Sequence, residues 1–213
     1  MIIAIDGTAA SGKGTLGRIL AMRLDLDYLD TGKLYRAVGH AALKSGVDID
    51  AADPADIAEI ATNLDLSQPF SAELRTTDVG EAASKVAAFA EVRQALLRKQ
   101  RDFAEHPPQG KGAVLDGRDI GTVVLPDADA KFYIDAAADI RANRRHMELV
   151  AAGEAIDFPE VLSDLIKRDC RDKNRTVAPL IAADDAFFID SSTKNAEEVL
   201  DLVISCLQEA KLV

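Results

Sequence analysis

The sequence predicts an α/β protein built on a central five-stranded parallel sheet. Three observations carry this. Short apolar runs alternate with helical segments along the chain, which is the pattern of parallel strands joined by right-handed crossovers. The first apolar run passes through a glycine turn into a helix. Hydrophobic residues make up 48% but aromatic ones only 5%, so the core must be mainly Ala, Leu, Ile and Val, as in α/β layers.

The stretch from Met1 to Thr15 organises the rest. Ile2, Ile3 and Ile5 form a β-branched run suited to a buried strand, and Leu16, Ile19, Leu20 and Leu24 follow at helical spacing. Between them, Gly7, Gly12 and Lys13 fit the G-x-x-x-x-G-K pattern of a P-loop, whose backbone N–H groups surround phosphate oxygens while the lysine adds a point charge. A helix N-terminus at the same place favours an anion. A glycine turn that binds nothing needs no lysine here. The fold class is therefore the three-layer fold of P-loop NTPases. Lys13 is followed by Gly14, and the hydroxyl that usually meets magnesium arrives one residue late, at Thr15. This G-K-G-T form resembles that of nucleoside monophosphate kinases.

A chain of 213 residues suits one domain of good size, with room for a small appended lobe. No run is long enough to span a membrane, and the start has neither a charged region nor a cleavage site. Cys170 and Cys206 have no metal or redox spacing, so a reduced, cytoplasmic setting is expected, with no membrane partner and no dedicated protein metal site. The net charge of -11 argues against nucleic acid as a partner. It is compatible with phosphate ligands if the arginines converge and the acids spread over outer helix faces.

In chain order, residues 27–30 read as a second strand, followed by a helix through Leu34, Val38 and Ala42 that Gly46 ends. Tyr35 and Arg36 fall just after a strand end, where ligands gather in open α/β sheets; a solvated surface arginine is the plain alternative. Asp53 and Pro54 open another helix, with Ile57, Ile60, Ala61 and Leu64 as its buried stripe. Residues 65–77 read as a loop. Helices follow at about 78–89 and 91–103. Within them, Ser84 reads most simply as a small residue and Arg93 as a surface charge. After the break at 107–110, Ala113 to Asp116 is an apolar strand closing on an acid, the look of a Walker-B position. Gly117 and Gly121 then flank Arg118 and Asp119, which would let backbone approach a ligand closely. Residues 131–135 and 187–190 complete the five strands. The last helix, about 196–210, places Val199, Leu202, Val203, Cys206 and Leu207 on one face, with Cys206 in the core.

Basic residues concentrate between the last two strands. Arg141, Arg144 and Arg145 lie on one helix, Gly153 interrupts it, and a second helix runs from about Pro159 to Lys173. Arg168, Asp172 and Arg175 stand at i, i+4 and i+7 and share a face if helical. Solvated ion pairs worth a few tenths of a kcal/mol are the plain reading. Two arginines around an aspartate could instead hold a phosphate and a sugar hydroxyl, and a helical pair with a glycine turn suits a lid.

The segments I-D-G-x-x-x-S-G-K-G-T, L-D-T-G-x-x-Y-R, A-A-S-K-V-A, V-R-x-A-L-L, L-D-G-R-D-I-G-T-V-V and R-D-x-R-D-x-N-R-x-x-A-P-L together resemble the bacterial cytidylate kinase family over nearly the whole chain. The resemblance implies a core of about residues 1–45, 110–140 and 180–213, a monophosphate-binding lobe at about 46–105 and a lid at about 145–178. It implies that ATP, with magnesium, phosphorylates CMP or dCMP to CDP or dCDP. Gly7, Thr8, Ala9, Ala10, Ser11, Gly12, Lys13, Gly14 and Thr15 would hold ATP phosphates. Ser84, Arg93 and Asp119 would meet cytosine, Arg168 and Asp172 the sugar, and Arg36, Arg118 and Arg175 the acceptor phosphate, with Thr31 and Tyr35 lining that pocket. Arg141, Arg144 and Arg145 sit where lid arginines act, and Lys13, Arg118, Arg144, Arg145 and Arg175 would be the catalytic set. Fuller family members carry extra strands in the monophosphate lobe. The stretch from Leu66 to Thr76 is too short for all of them, which predicts a base pocket closed differently. A monomer is expected.

The chemistry fits these roles. A carboxylate such as Asp119 accepts from the N4 amino group of cytosine, and uracil would present a carbonyl there instead. The nucleophile is a phosphate whose second pKa is about 6, so no general base is needed and His40, His106 and His146 need no catalytic role. The rival readings are another P-loop kinase for a monophosphate or a small metabolite, a GTP switch, for which the N-K-x-D pattern is missing, and a nucleotide-binding scaffold without turnover.

Overall fold

The structure, a computed structural model, describes residues 1–65 and 72–213. Five parallel strands form one sheet in the order β2-β3-β1-β4-β5: β1 (Ile2–Gly7), β2 (Asp27–Asp30), β3 (Ala113–Gly117), β4 (Ala130–Asp135) and β5 (Phe187–Asp190). All four pairings are parallel, with β1 between β3 and β4 in registers that pair Ile3 with both Val114 and Ala130. Helices α1 (Lys13–Leu24) and α8 (Ala196–Glu209) supply side chains to one face of the sheet. Helices α2 (Thr31–Lys44), α3 (Pro54–Thr62), α4 (Thr77–Val86) and α5 (Ala90–Glu105) build the layer on the other. Helices α6 (Ala138–Ala151) and α7 (Phe158–Asn174) stand between β4 and β5 in sequence and pack on each other through Ala142, Leu149 and Val161.

Side-chain alternation along β1 divides the core. Ile3 and Ile5 pack with Val114, Phe132 and Ile134 against Leu16 and Leu20 of α1 and Val199, Val203 and Leu207 of α8. Ala4 faces the opposite layer, with Leu115, Leu34, Val38, Val92 and Leu96. Burying one such Leu or Ile is worth about 1.5–3 kcal/mol, so these two layers hold β1 at the centre of the sheet.

The expected strands and helices are all present, with end shifts of one to three residues. Asp53 caps α3 by accepting from the N–H of Ala55, and Gly46 takes a left-handed φ of +71° just past α2. Three details differ. In α8 the buried stripe is Val199, Val203 and Leu207, spaced by four; Leu202 is 40% exposed and Cys206 only partly buried, because both lie beside that stripe. Arg93 is buried, so it is not the surface charge its plain reading gives, and Ser84 is buried as well. Gly117 lines a cleft as expected, while both it and Gly121 also serve packing within the chain. A Cβ at Gly117 would lie 2.7 Å from Ile120 Cδ1 and from Thr31 Oγ1, and one at Gly121 3.1 Å from the Lys131 side chain. The shortened lobe segment lies largely outside the described residues; Ala72–Arg75 forms one 3-10 turn.

Two polar contacts tie the site-bearing loops to this frame. Asp6, at the end of β1 and 3% exposed, accepts at 2.7 Å from the N–H groups of both Ile120 and Gly121, which fixes the loop after β3. The left-handed Gly153, with φ +88°, turns the chain between α6 and α7, and the next residue, Glu154, accepts at 2.8 Å from the Thr77 hydroxyl at the start of α4.

Burial pushes the Asp6 pKa up from 3.8 to about 6, against the opposing effect of the two N–H groups. The folded chain therefore holds this proton more tightly than the unfolded one. The stabilisation is full below about pH 4 and is lost as pH rises through about 6. Between pH 4 and 7, urea denaturation should show wild type losing about 2–3 kcal/mol more than Asp6→Asn; parallel slopes for the two proteins would show that burial does not govern Asp6.

Candidate active site

The glycine loop leaves β1 under tight steric control. A Cβ at Gly7 would lie 2.0 Å from the carbonyl oxygen of Ile134, so only glycine passes between β1 and β4. Ala10 and Gly12 then adopt left-handed φ values of +58° and +91°. For alanine that conformation costs about 1–2 kcal/mol and persists only where the surroundings impose it. Gly12 is the N-cap of α1 and provides no side-chain cap, which leaves N–H groups of the first turn available to an anion. Lys13 is buried and its Nζ donates to Thr8 O at 3.1 Å. Burial and the nearby Arg118 guanidinium push the Lys13 pKa down, the condition of a cation awaiting an anion. Thr8 donates to Asp135 Oδ1 at 2.5 Å, and Ser191 donates to Ser11 O at 2.9 Å. Thr15 is exposed.

The structure explains Gly14. A Cβ there would lie 3.2 Å from Asp116 Oδ2 and 3.6 Å from the Tyr28 hydroxyl. Tyr28 itself donates to Asp116 Oδ2 at 2.8 Å, so the space beside the helix start is taken by this pair. Gly17 admits the Tyr28 ring, since a Cβ would lie 2.7 Å from its Cε2. Burial, and next the charge of Asp30, push the Asp116 pKa up.

Beyond Lys13 a cleft of about 440 Å³ opens between α2, α4, the loop after β3, and the α6–α7 pair, a size suited to a small organic ligand. One end is built around Asp119, which is 4% exposed. Its Oδ2 pairs with Arg93 and its Oδ1 accepts from Arg175 Nη2 at 3.2 Å. Arg93 also stacks over the Tyr35 ring, 5.6 Å from its centroid. Ser84 lines the same cleft with its hydroxyl buried and without a partner among the described residues. An unpaired buried hydroxyl costs about 1–3 kcal/mol, which a bound polar ligand would recover.

The middle of the cleft is strongly positive. Arg118 donates through Nε to Asp172 Oδ2 at 2.9 Å, and Arg36 through Nη1 to Leu74 O at 2.8 Å, while Arg168 Nε is buried without a partner among the described residues. Burial and Arg145 push the Arg36 pKa down to about 10; burial and Arg118 push that of Arg168 down to about 9. Buried guanidinium groups gathered around one space favour an anion between them. Asp172 moves the opposite way, held below the usual carboxylate range by Arg118 and Arg168 in spite of its burial.

All the acceptor-side residues singled out in the sequence, from Thr31 to Arg175, line this one cleft, but the arginines sort differently. Arg175 ends α7 with an extended backbone, leaves the helical face expected for it, and joins Asp119 instead of Arg36 and Arg118. Arg168 takes its place in the positive centre. Arg145 lines the cleft, whereas Arg144, expected beside it, donates to Ser191 O at 2.7 Å; neighbours on a helix point about 100° apart and cannot both face one ligand. Arg141 is buried under the glycine loop. Lys167 and Arg171 also line the cleft and carry no role in the sequence reading, although they sit one residue before and three after Arg168; Asp30, a carboxylate that a hydroxyl acceptor would call on, lines it too. No histidine lines it.

Comparison with known proteins agrees with this geometry. A family model described as cytidylate kinase matches residues 3–209. The cytidylate kinase of Rhodospirillum rubrum is 52% identical over 208 residues, covering 97% of each chain, and that of Bradyrhizobium sp. is 49% identical over 211 residues, covering 99% of this chain and 97% of its own. Among solved structures, an uncharacterized protein from Eubacterium ventriosum superposes with a TM-score of 0.52 at 16% identity, covering 98% of both chains. A sugar kinase from Janibacter sp. gives 0.51 at 12%, covering 97% of this chain and 94% of its own. These two share the fold alone. With a glycine-loop lysine and an Arg93–Asp119–Arg175 group facing one cleft, and relatives at about half identity along its whole length, the chain belongs to the cytidylate kinase family.

Proposed function

We propose that this chain transfers the γ-phosphoryl group of ATP to the phosphate of CMP, and also of dCMP. One observation carries the reading: Lys13 on the glycine loop and the buried Arg93–Asp119–Arg175 group line the same cleft, so a triphosphate and a polar base can meet in it. In this reading the loop from Gly7 to Thr15 holds the donor phosphates through its backbone N–H groups. Residues 46–105 act as the monophosphate lobe and 145–178 as the lid. The cytosine N4 amino group donates to Asp119, whose oxygens accept more than one bond each, and Ser84 gains the partner it lacks. Arg36, Arg118 and Arg168 receive the acceptor phosphate and Asp172 the sugar edge. Lys13 and Arg145 supply positive charge against the negative charge of the transferring phosphoryl group and its leaving oxygen. No side chain has to remove a proton, because the acceptor is already largely ionised near neutral pH. Catalysis then rests on in-line placement of two anions that would otherwise repel.

Magnesium fits the donor end. Asp30 and Asp116 both line the cleft beside Lys13 and Gly14, and one or two carboxylates with substrate phosphates is the usual magnesium environment. The ion would neutralise charge on the donor phosphates.

A coupled ADP-release assay with CMP, dCMP, UMP and AMP tests the proposal. CMP and dCMP should be turned over, and UMP at least about a hundredfold less efficiently, since its carbonyl would leave buried polar groups unpaired. Equal turnover of CMP and UMP would overturn the base assignment. Arg175→Ala should lower kcat/KM for CMP by roughly tenfold to a hundredfold, the worth of a buried charged hydrogen bond, and should narrow the preference over UMP. Undiminished preference would place Arg175 away from the base.

A further inference from the structure

The Arg141–Asp169 pair joins the α6–α7 hairpin to the glycine loop by contacts on both sides of one peptide residue. Both side chains are buried, Arg141 at 5% and Asp169 at 7% exposure. Arg141 Nε donates to Ala136 O at 2.7 Å; its Nη1 donates to Asp169 Oδ2 at 2.6 Å and to Ala9 O at 3.1 Å. The other oxygen of Asp169 accepts, at 3.5 Å, from the N–H of Ala9. Both backbone polar groups of Ala9 are thus engaged by one ion pair. The residue that follows is Ala10, the alanine held at φ +58°, and the one before is Thr8, bonded to Asp135 at the end of β4. Neither Arg141 nor Asp169 lines the cleft. Asp169 does sit on α7 between Arg168 and Asp172, which line it.

We infer that Asp169, acting through Arg141, is a positioning residue for the donor half of the reaction: it holds the glycine loop in the left-handed turn that aims its N–H groups at the triphosphate. Neither side chain touches substrate. A loop freed from the pair would let Ala10 relax toward ordinary φ values and turn the neighbouring N–H groups away from the phosphates. Because buried polar pairs specify geometry as well as energy, the loss should fall on the donor nucleotide and spare the acceptor. This rests on the assignment of the loop to ATP made above.

The test uses Asp169→Asn in the full chain. Asparagine keeps one oxygen to accept from Arg141 but presents its amide NH₂ to the other partner, so the bond to Ala9 is lost; the counter-charge is lost with it, and Asp135, 3.8 Å from Arg141 Nε, is the carboxylate that still faces the guanidinium. Arg141→Lys is the companion, since a point charge cannot serve Ala136 O, Ala9 O and Asp169 together. The dissociation constants of Mg-ATP and of CMP are measured separately by calorimetry, alongside circular-dichroism melting and KM for each substrate. Both variants should melt cooperatively, weaken ATP by about tenfold, as for a lost hydrogen bond to a charged group, and bind CMP within about twofold of wild type. Equal weakening of both ligands, or unaltered ATP binding in a folded variant, overturns the inference. Wild type that binds CMP but no ATP would overturn the donor assignment itself, an outcome distinct from a variant that binds ATP like wild type.

Discussion

The structure depends on keeping positive charges together where little water screens them. Arg36, Arg118, Arg145 and Arg168 converge on the cleft with Lys13 at the glycine loop; burial first, and then the charge of Arg145 or Arg118, lowers the proton affinity of Arg36, Arg168 and Lys13. Left alone such a cluster would drive the cleft apart. Two buried carboxylates oppose it, Asp172 beside Arg118 and Asp119 between Arg93 and Arg175. Two anionic nucleotides would complete the neutralisation, which is the electrostatic content of a bisubstrate site. The chain's net charge of -11 therefore gives no guide to the sign of its working cleft.

The sheet makes this possible by being apolar up to its last residues and polar at its carboxyl edge. β1, β3 and β4 are buried almost throughout, yet each carries an acid in its last two residues, Asp6, Asp116 and Asp135, and each of these acids holds something the site needs. Asp6 fixes the loop bearing Arg118 and Asp119, Asp116 meets Tyr28 beside Gly14, and Asp135 holds Thr8. The strand termini thus act as anchors for loops that carry function, the usual division of labour at the carboxyl edge of an open sheet.

Much of this was legible in the sequence because it is local. The β-branched run of Ile2, Ile3 and Ile5, the Gly7 to Lys13 spacing and the Asp53–Pro54 cap each signal structure within a few residues. Arg144 and Arg145 mark the limit. Adjacent in sequence, they face Ser191 and the cleft respectively, and only the phase of α6 decides which does what. Arg175 marks another, because α7 stops one residue before it and the backbone turns extended. Tyr28, which occupies the space beside Gly14, and Asp6, whose partners are more than a hundred residues away, depend on contacts that no short pattern encodes.

The hydrogen bond from Thr77 to Glu154 bears on the rhythm of turnover. It joins the first turn of α4, where Thr77 lines the cleft, to the glycine turn between α6 and α7, and both of its partners are only partly buried. A neutral-to-charged bond at such a place is worth about 1 kcal/mol net. A link of about two thermal units between two segments that both border the cleft is weak enough to open and re-form within a catalytic cycle.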